Sequence, residues 1–225
     1  MKNIIVFILL ACFMSCTKSQ FSSNTKYDYP TLTDTIPGPP IQIDSFPLKV
    51  GNTWTYTTGS NIIYTVKVVA DTMINSERAA RVDMIGDSTI STSYYANRSD
   101  GYYLVANRYY SFLDSLHIFK PAVHVLSFPL ATNATWQTGD SSVVVYYQSN
   151  YSATWGNFYK VTTPAGQFNC CLLNLYSLYN GLSYSCYYSS KGLVKEVEIA
   201  SASKGPGLGP YSFVAGTITL TSVNF

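Results

Sequence analysis

The sequence predicts an all-β protein built on a large antiparallel sheet. Charged residues make up 12% of the chain and aromatic residues 15%, and 20 residues are Tyr, a composition typical of sheet and not of disorder. Short stretches of alternating apolar and polar residues recur between Asn, Asp, Gly and Pro, as in antiparallel strands and their turns. No window has the apolar period and caps of a long helix. With 225 residues, the chain is expected to form a single domain.

The first residues have the pattern of an exported protein. A lysine and an apolar run over 4–14 precede Cys16. This run is too short for a transmembrane helix of about 20 residues, but it suits a signal peptide over 1–15. Phe13-Met14-Ser15-Cys16 resembles the lipobox of bacterial lipoproteins, which implies cleavage before Cys16 and lipidation of its sulfur. The mature chain is then expected to be anchored to a membrane by lipid. The alternative is an ordinary secretory signal with a chance cysteine.

The next segment, 16–44, joins the lipidated cysteine to a tether rich in Ser, Thr and Pro. Its first residues, 17–20, contain no acidic residue of the kind that lipoprotein sorting depends on. The expected location is therefore the cell envelope, at the outer membrane, with the periplasmic and surface faces both open. An alternative for the end of the tether is an irregular first strand, with Ile36, Ile41 and Ile43 packed on the body.

The body, 45–225, contains one stretch of sequence twice. SFPLKVGNTW at 45–54 returns as SFPLATNATW at 127–136, and each copy leads into strand-like sequence after a Pro that is unsuited to a central strand. One hypothesis is that the copies begin two related halves of the sheet, 45–126 and 127–225. The other is a chance similarity in a chain rich in Ser and Thr.

Three cysteines, Cys170, Cys171 and Cys186, lie in the body, and an exported protein permits a disulfide. If the Asn-Gly at 180–181 forms a two-residue hairpin turn, Cys186 faces Leu175 and lies too far from Cys171 for a bond. A bulge or a wider loop would bring Cys186 within reach of Cys170 or Cys171. Both outcomes stay open.

No residue set typical of catalysis, of a metal or of a cofactor is present. His117 and His124 have no further ligand at a recognisable spacing, so no metal is expected. Glu196 and Glu198 share one face of a strand, which a solvated face explains, and there is no nucleophile-elbow motif. The formal net charge of +2 comes without a Lys/Arg cluster, so nucleic acid is not an expected partner. The chain is therefore not expected to be an enzyme.

Three motifs of the body resemble a broad group of uncharacterised Gram-negative envelope lipoproteins. They are PLKVGNTWTY, TPAGQFNC and YYSSKGLVKEV. The resemblance implies structural roles, with turns at Gly51, Gly166 and Gly192 and core positions at Phe168, Tyr188 and Val194. Some related domains form a half-open antiparallel barrel like that of the periplasmic lipoprotein carriers. The sheet is thus expected to curl into a half-open barrel or a sandwich with a concave apolar face.

The anchor and the aromatic sheet together favour a binding function. The leading interpretation is a tethered β-domain that binds an apolar or amphipathic ligand, such as a lipid, in the concave face of its sheet. The inward rings expected there are Trp54, Tyr64, Trp136 and Phe168. The alternative is a surface module that binds glycan or protein through exposed aromatic platforms, among them Trp155. The two interpretations differ in whether the rings point into the sheet or out of it.

Overall fold

The computed structural model describes residues 35–109, 113–130, 133–138, 151–177, 183–202 and 211–225. Within these ranges the chain contains thirteen strands and no helix, and hence no helix that could cross a membrane. The strands are β1 (Thr35–Pro37), β2 (Thr53–Thr58), β3 (Ile63–Ile74), β4 (Glu77–Ile85), β5 (Thr89–Arg98), β6 (Gly101–Tyr109), β7 (Leu113–Ser127), β8 (Thr135–Thr138), β9 (Tyr151–Thr163), β10 (Gly166–Ser177), β11 (Ser183–Ser189), β12 (Gly192–Ala202) and β13 (Tyr211–Asn224).

All thirteen strands belong to one antiparallel sheet, which confirms the predicted fold class. Strands β2 to β7 follow one another as a meander, and so do β8 to β13. Pairing of β13 with β2 joins the two meanders into a continuous sheet. Strands β1 and β8 pair with different parts of β9. Strand β7 approaches β8, but no pairing joins them in the described ranges, so the curled sheet is not closed.

The two SFPL segments precede the first strand of each meander. The first leads into β2 and the second into β8, and in both the Trp is the second residue of the strand. The two rings differ in their surroundings. Trp54 is buried and its Nε1 donates to the carbonyl of Lys191, whereas Trp136 is half-buried and its Nε1 has no hydrogen-bond partner in the described part of the chain. The different surroundings of the two rings do not support a duplication, and two related halves stay a hypothesis.

The inner face of the curled sheet holds the main core. Residues that pair directly across neighbouring strands share a face, and the inward side chains of the two meanders meet in one cluster. Tyr102 and Leu126 come from the first meander, and Trp155 and Leu173 from the second. The buried members of this cluster are Ile43, Tyr102, Leu126, Phe128, Ala153, Trp155, Cys171, Leu173, Leu175, Tyr184 and Cys186.

The segment before β2 belongs to the body. Strand β1 pairs with β9, and Ile43, 4% exposed, lies in the main core with Phe46 packed against the same cluster. The Asn97 side chain holds Phe46 by accepting from its amide at 3.0 Å and donating to its carbonyl at 2.8 Å. The boundary at 44 stays a prediction, although β1, Ile43 and Phe46 before and around it are packed on the sheet. The alternative of a first strand describes the segment better, although Ile36 itself is 52% exposed. Residues 1–34, including Cys16, lie outside the described ranges.

Three glycines that the resemblance assigns to turns, Gly51, Gly166 and Gly192, all have positive φ. Gly192 also lies close to two rings: a Cβ at this position would be 3.1 Å from Trp54 Nε1 and 3.2 Å from Phe46 Cζ. A φ of +98° adds backbone strain for any L side chain. Glycine at 192 therefore lets the β11–β12 turn lie against the start of β2.

The opposite face of the sheet is also partly covered. A small apolar cluster there combines the buried Ala96 and Ala106 with the half-buried Tyr94. The tyrosine doublets at 94/95 and 187/188 each send one ring to either face, as strand alternation requires. The inward members are Tyr95 and Tyr188, and the doublets at 109/110 and 146/147 lie outside the described side chains.

Candidate functional site

Three of the four side chains predicted to contact a ligand lie on the inner face. Trp54 is 2% exposed and Tyr64 9% exposed, and Trp136 packs against the main core from β8. Phe168 pairs with Val161 and lies an odd number of residues before Cys171. It therefore points to the opposite face from the other three.

Glu196 and Glu198, expected on a solvated face, lie on the inner face instead. Glu196 pairs with Cys186 of β11 and with Ile218 of β13, and its side chain is half-buried. The Cys186 thiol donates to Glu196 Oε2 at 3.6 Å. The signal that the sequence offered was an apolar residue two positions before the acid, Val194, which is fully buried. That signal becomes informative only when the strand face is known to point inward.

Tyrosine rings from three strands surround this acid. Tyr56 of β2 and Tyr64 of β3 stack with their ring centroids 5.4 Å apart. The Tyr56 hydroxyl donates to the carbonyl of Leu193 at 3.0 Å. Leu193 lies on the same strand as Glu196, three residues before it. Tyr188 of β11 follows Cys186 on the same face. The acid thus lies among aromatic rings and not in open solvent.

Further rings extend this surface towards the main core. Tyr95 and Tyr102 stack at 4.7 Å between centroids, and Phe46 stacks on Tyr102 at 4.4 Å. Phe46 also meets Tyr188 edge to face at 6.3 Å. The inner face therefore changes from apolar around Phe46 to polar around Glu196.

The site contains one group that titrates near neutral pH. Burial raises the pKa of the Glu196 carboxyl from its usual 4.5 to about 7, the hydrogen bond from Cys186 opposes that shift, and the charge of Glu198 adds to it. Burial is also the main cause that raises the pKa of the Tyr56, Tyr64 and Tyr188 hydroxyls, with a contribution from the Glu196 charge. The phenols therefore stay neutral while Glu196 changes charge.

Several hydroxyls of this surface are available to a ligand. Those of Tyr64, Tyr102 and Tyr188 have no hydrogen-bond partner within the described ranges. In the described ranges, the side-chain atoms that are fully enclosed and lack a hydrogen-bond partner are His124 Nε2 and Trp136 Nε1. The three phenol oxygens are not among them, so they contact water. Tyr64 and Tyr102 are nevertheless at least nine-tenths buried. These hydroxyls can donate to, or accept from, the polar part of a bound molecule.

The three cysteines of the body are free, buried thiols. Cys186 pairs with Leu173 and not with Leu175, so its register is shifted by two residues from that of a tight Asn-Gly turn, whose residues lie outside the described ranges. Cys171 and Cys186 are diagonal neighbours on the inner face, a geometry of about 7–8 Å that exceeds the usual reach of a disulfide. Burial raises the pKa of the Cys170 and Cys171 thiols to about 12, which disfavours the reactive thiolate.

Trp155, expected as an exposed platform of a surface module, is fully buried instead. Its Nε1 donates to the carbonyl of Ser127 at 3.0 Å. The exposed aromatic side chains of the described ranges are Tyr176 and Phe225, which lie on strand β10 and at the end of β13. The aromatic rings are thus concentrated on the inner face.

The two histidines lie apart from the acidic site. His117 is exposed and contacts the Phe119 ring, and His124 stacks on Tyr103 with a centroid distance of 4.5 Å. In the part of the chain that the structure describes, no three His, Cys, Asp or Glu side chains come together as metal ligands.

Two solved structures are similar to this chain. One is a putative lipoprotein from Parabacteroides distasonis ATCC 8503, with 12% identity and a TM-score of 0.40, over 83% of this chain and 100% of that chain. The other is a putative exported protein with a YmcC-like fold from Bacteroides fragilis NCTC 9343, with 13% identity and a TM-score of 0.41, over 81% of this chain and 100% of that chain. No protein-family model matches the chain, and no curated protein matches its sequence.

Proposed function

We propose that this protein is a lipid-anchored envelope protein that binds an amphipathic ligand on the inner face of its curled sheet, without catalysing a reaction on it. The observation that carries the proposal is the half-buried Glu196 among the rings of Tyr64 and Tyr188, whose water-contacting hydroxyls have no hydrogen-bond partner in the described ranges. Such hydroxyls are open to hydrogen-bond partners from a bound molecule. A ligand that supplies them would complete this surface.

The polarity of the inner face favours an amphipathic ligand over a purely polar one. The half-buried Phe46, packed on the main core, makes one part apolar, and the hydroxyl and carboxyl groups make the other polar. A ligand site is usually apolar with a few placed polar groups. Hydrocarbon would lie against the rings while a head group contacts the phenols.

A photoreactive probe tests where such a ligand binds. An uncharged long-chain alcohol with a diazirine, added to the detergent-solubilised full chain, should label the peptides that carry Tyr56, Tyr64 and Tyr188, because they line the inner face. An excess of the unlabelled alcohol should remove this labelling. Fragmentation that localises the label to single residues provides the internal control, since Tyr94 lies on the opposite face and its neighbour Tyr95 on the inner face. Equal, unsaturable labelling of both faces would contradict the proposal.

The anchor is proposed from the lipobox-like residues 13–16. Cells that express the full chain and take up an alkyne-tagged fatty acid should label the wild-type protein and not the Cys16→Ala variant. The matched control is Cys12→Ala, which removes the other cysteine of this region and should keep the label. A chain labelled equally in all three forms would show that Cys16 is not the lipidated residue.

A further inference from the structure

The polar end of the inner face has a definite charge. Glu196 and Glu198 both point inward from β12, and within the described ranges no Lys, Arg or His forms an ion pair with either of them. The Glu198 carboxylate lies over Gly216, where a Cβ would be 3.4 Å from its Oε2. The site therefore offers acidic groups without a countercharge from the described residues.

The groups that face Glu196 can be named strand by strand. Strand β11 contributes Cys186 and Tyr188, β2 contributes Tyr56, and β3 contributes Tyr64. Strand β13 contributes Ile218 opposite the acid, and its residues 216–224 include no titratable side chain. The remaining ionisable neighbour, Glu198 on β12 itself, is also an acid.

A carboxylate next to aromatic faces suits a cation. Ammonium groups are attracted by the faces of Tyr rings, and a carboxylate in a partly desolvated site adds Coulomb attraction. The stacked pair of Tyr56 and Tyr64 and the nearby Tyr188 supply such rings around Glu196. An anionic head group would be repelled by both acids, and a neutral one would leave their charge uncompensated.

We propose that the amphipathic ligand of this site carries an ammonium head group, which binds the Glu196 carboxylate among Tyr56, Tyr64 and Tyr188 while its hydrocarbon lies towards Phe46. This inference rests on the proposed function, since it names the head group of the ligand at the same site. A head group of this kind gains charge pairing and ring contacts at once. The nearby phenols and the Cys186 thiol stay neutral, because burial raises the pKa of each of them.

Competition against the uncharged photoreactive alcohol tests the head group. The full chain in a nonionic maltoside detergent is labelled in the presence of decyltrimethylammonium, decanoate or decanol. We expect the ammonium compound to compete about tenfold more strongly than decanol, and decanoate more weakly than decanol. Glu196→Gln should lower the affinity for the ammonium compound about tenfold relative to that for decanol. Asp71→Asn, in an exposed ion pair with Arg78, is the charge control and should behave as wild type.

The pH dependence supplies a second measurement on the unaltered chain. Decyltrimethylammonium keeps its charge at all pH values, so only the protein titrates. Because the pKa of Glu196 is about 7, its ionised fraction rises about tenfold between pH 6 and pH 8, and the affinity should rise with it. Equal competition by all three compounds, independent of pH and of Glu196→Gln, would overturn the ammonium inference and leave the proposed function standing. Absence of saturable labelling by the alcohol itself would instead overturn the proposed function.

Discussion

Replacing Trp155 with alanine is expected to lower the free energy of unfolding by about 3–5 kcal/mol, the usual cost of truncating a buried Trp. Its side chain is fully buried in the main core, and its Nε1 hydrogen bond to the Ser127 carbonyl joins β9 to the end of β7. Its ring also contacts Trp136 and Tyr188 at centroid distances of 5.6 and 6.3 Å. The substitution therefore leaves a large cavity and an unpaired carbonyl. Urea unfolding of the purified chain, followed by circular dichroism, measures the loss.

Trp136→Ala is the matched control for this prediction. Trp136 is half-buried and its Nε1 has no partner in the described ranges, so its truncation should cost only about 1–2 kcal/mol. Trp155→Phe, which keeps a ring and loses the donor, should fall between the two alanine variants. It also provides a measurement if Trp155→Ala does not fold. If both alanine variants lose the same stability, the assignment of Trp155 to the packed interior is incorrect.

Glu196→Gln is expected to make the protein more stable at pH 8 and to flatten its pH dependence. The pKa of Glu196 is raised in the folded state to about 7, against 4.5 for an exposed carboxyl. The stabilising contribution of the neutral form is therefore fully present below about pH 4.5 and is lost as the pH rises through 7. At 1.36 kcal/mol per pKa unit, and allowing for partial exposure, wild type should lose about 1–3 kcal/mol between pH 4.5 and pH 8. The amide cannot ionise and should not show this loss.

Glu77→Gln is the matched control, because the pKa of Glu77 is shifted in the opposite direction to that of Glu196. The hydrogen bond from Arg98 lowers the pKa of Glu77, so its stabilising contribution is already complete above its unfolded pKa and is constant between pH 5 and pH 8. Its removal should cost up to about 1 kcal/mol at each pH in that window without changing the slope. Unfolding curves across the window compare both variants with wild type. A slope that persists in Glu196→Gln would show that another group causes the pH dependence.

Much of the sheet was predictable from local sequence, and the inner site was not. Alternation identified strand-like sequence such as that around Tyr64 and predicted opposite faces for Tyr187 and Tyr188, because these properties depend on adjacent residues. The same alternation could not show which face was enclosed. Glu196 was therefore expected in solvent and Trp155 on the surface, and both expectations were wrong. The buried position of Ile43 was equally hidden, since its partners come from strands far along the chain.

By itself, the sequence determined the class of the fold and the alternation of its strands, and the signal peptide and the lipidation of Cys16 stay predictions. The period of two in a strand and the apolar run before Cys16 are read from neighbouring residues, whereas the turn at Gly192 was implied by a resemblance and its positive φ was found in the structure. Only the tertiary structure decided which side of the sheet encloses the rings and which acid lies among them. The physical reason is that burial is a collective property. The environment of Glu196 exists only after β13 pairs with β2 and the curl brings Tyr56 and Tyr64 to β12.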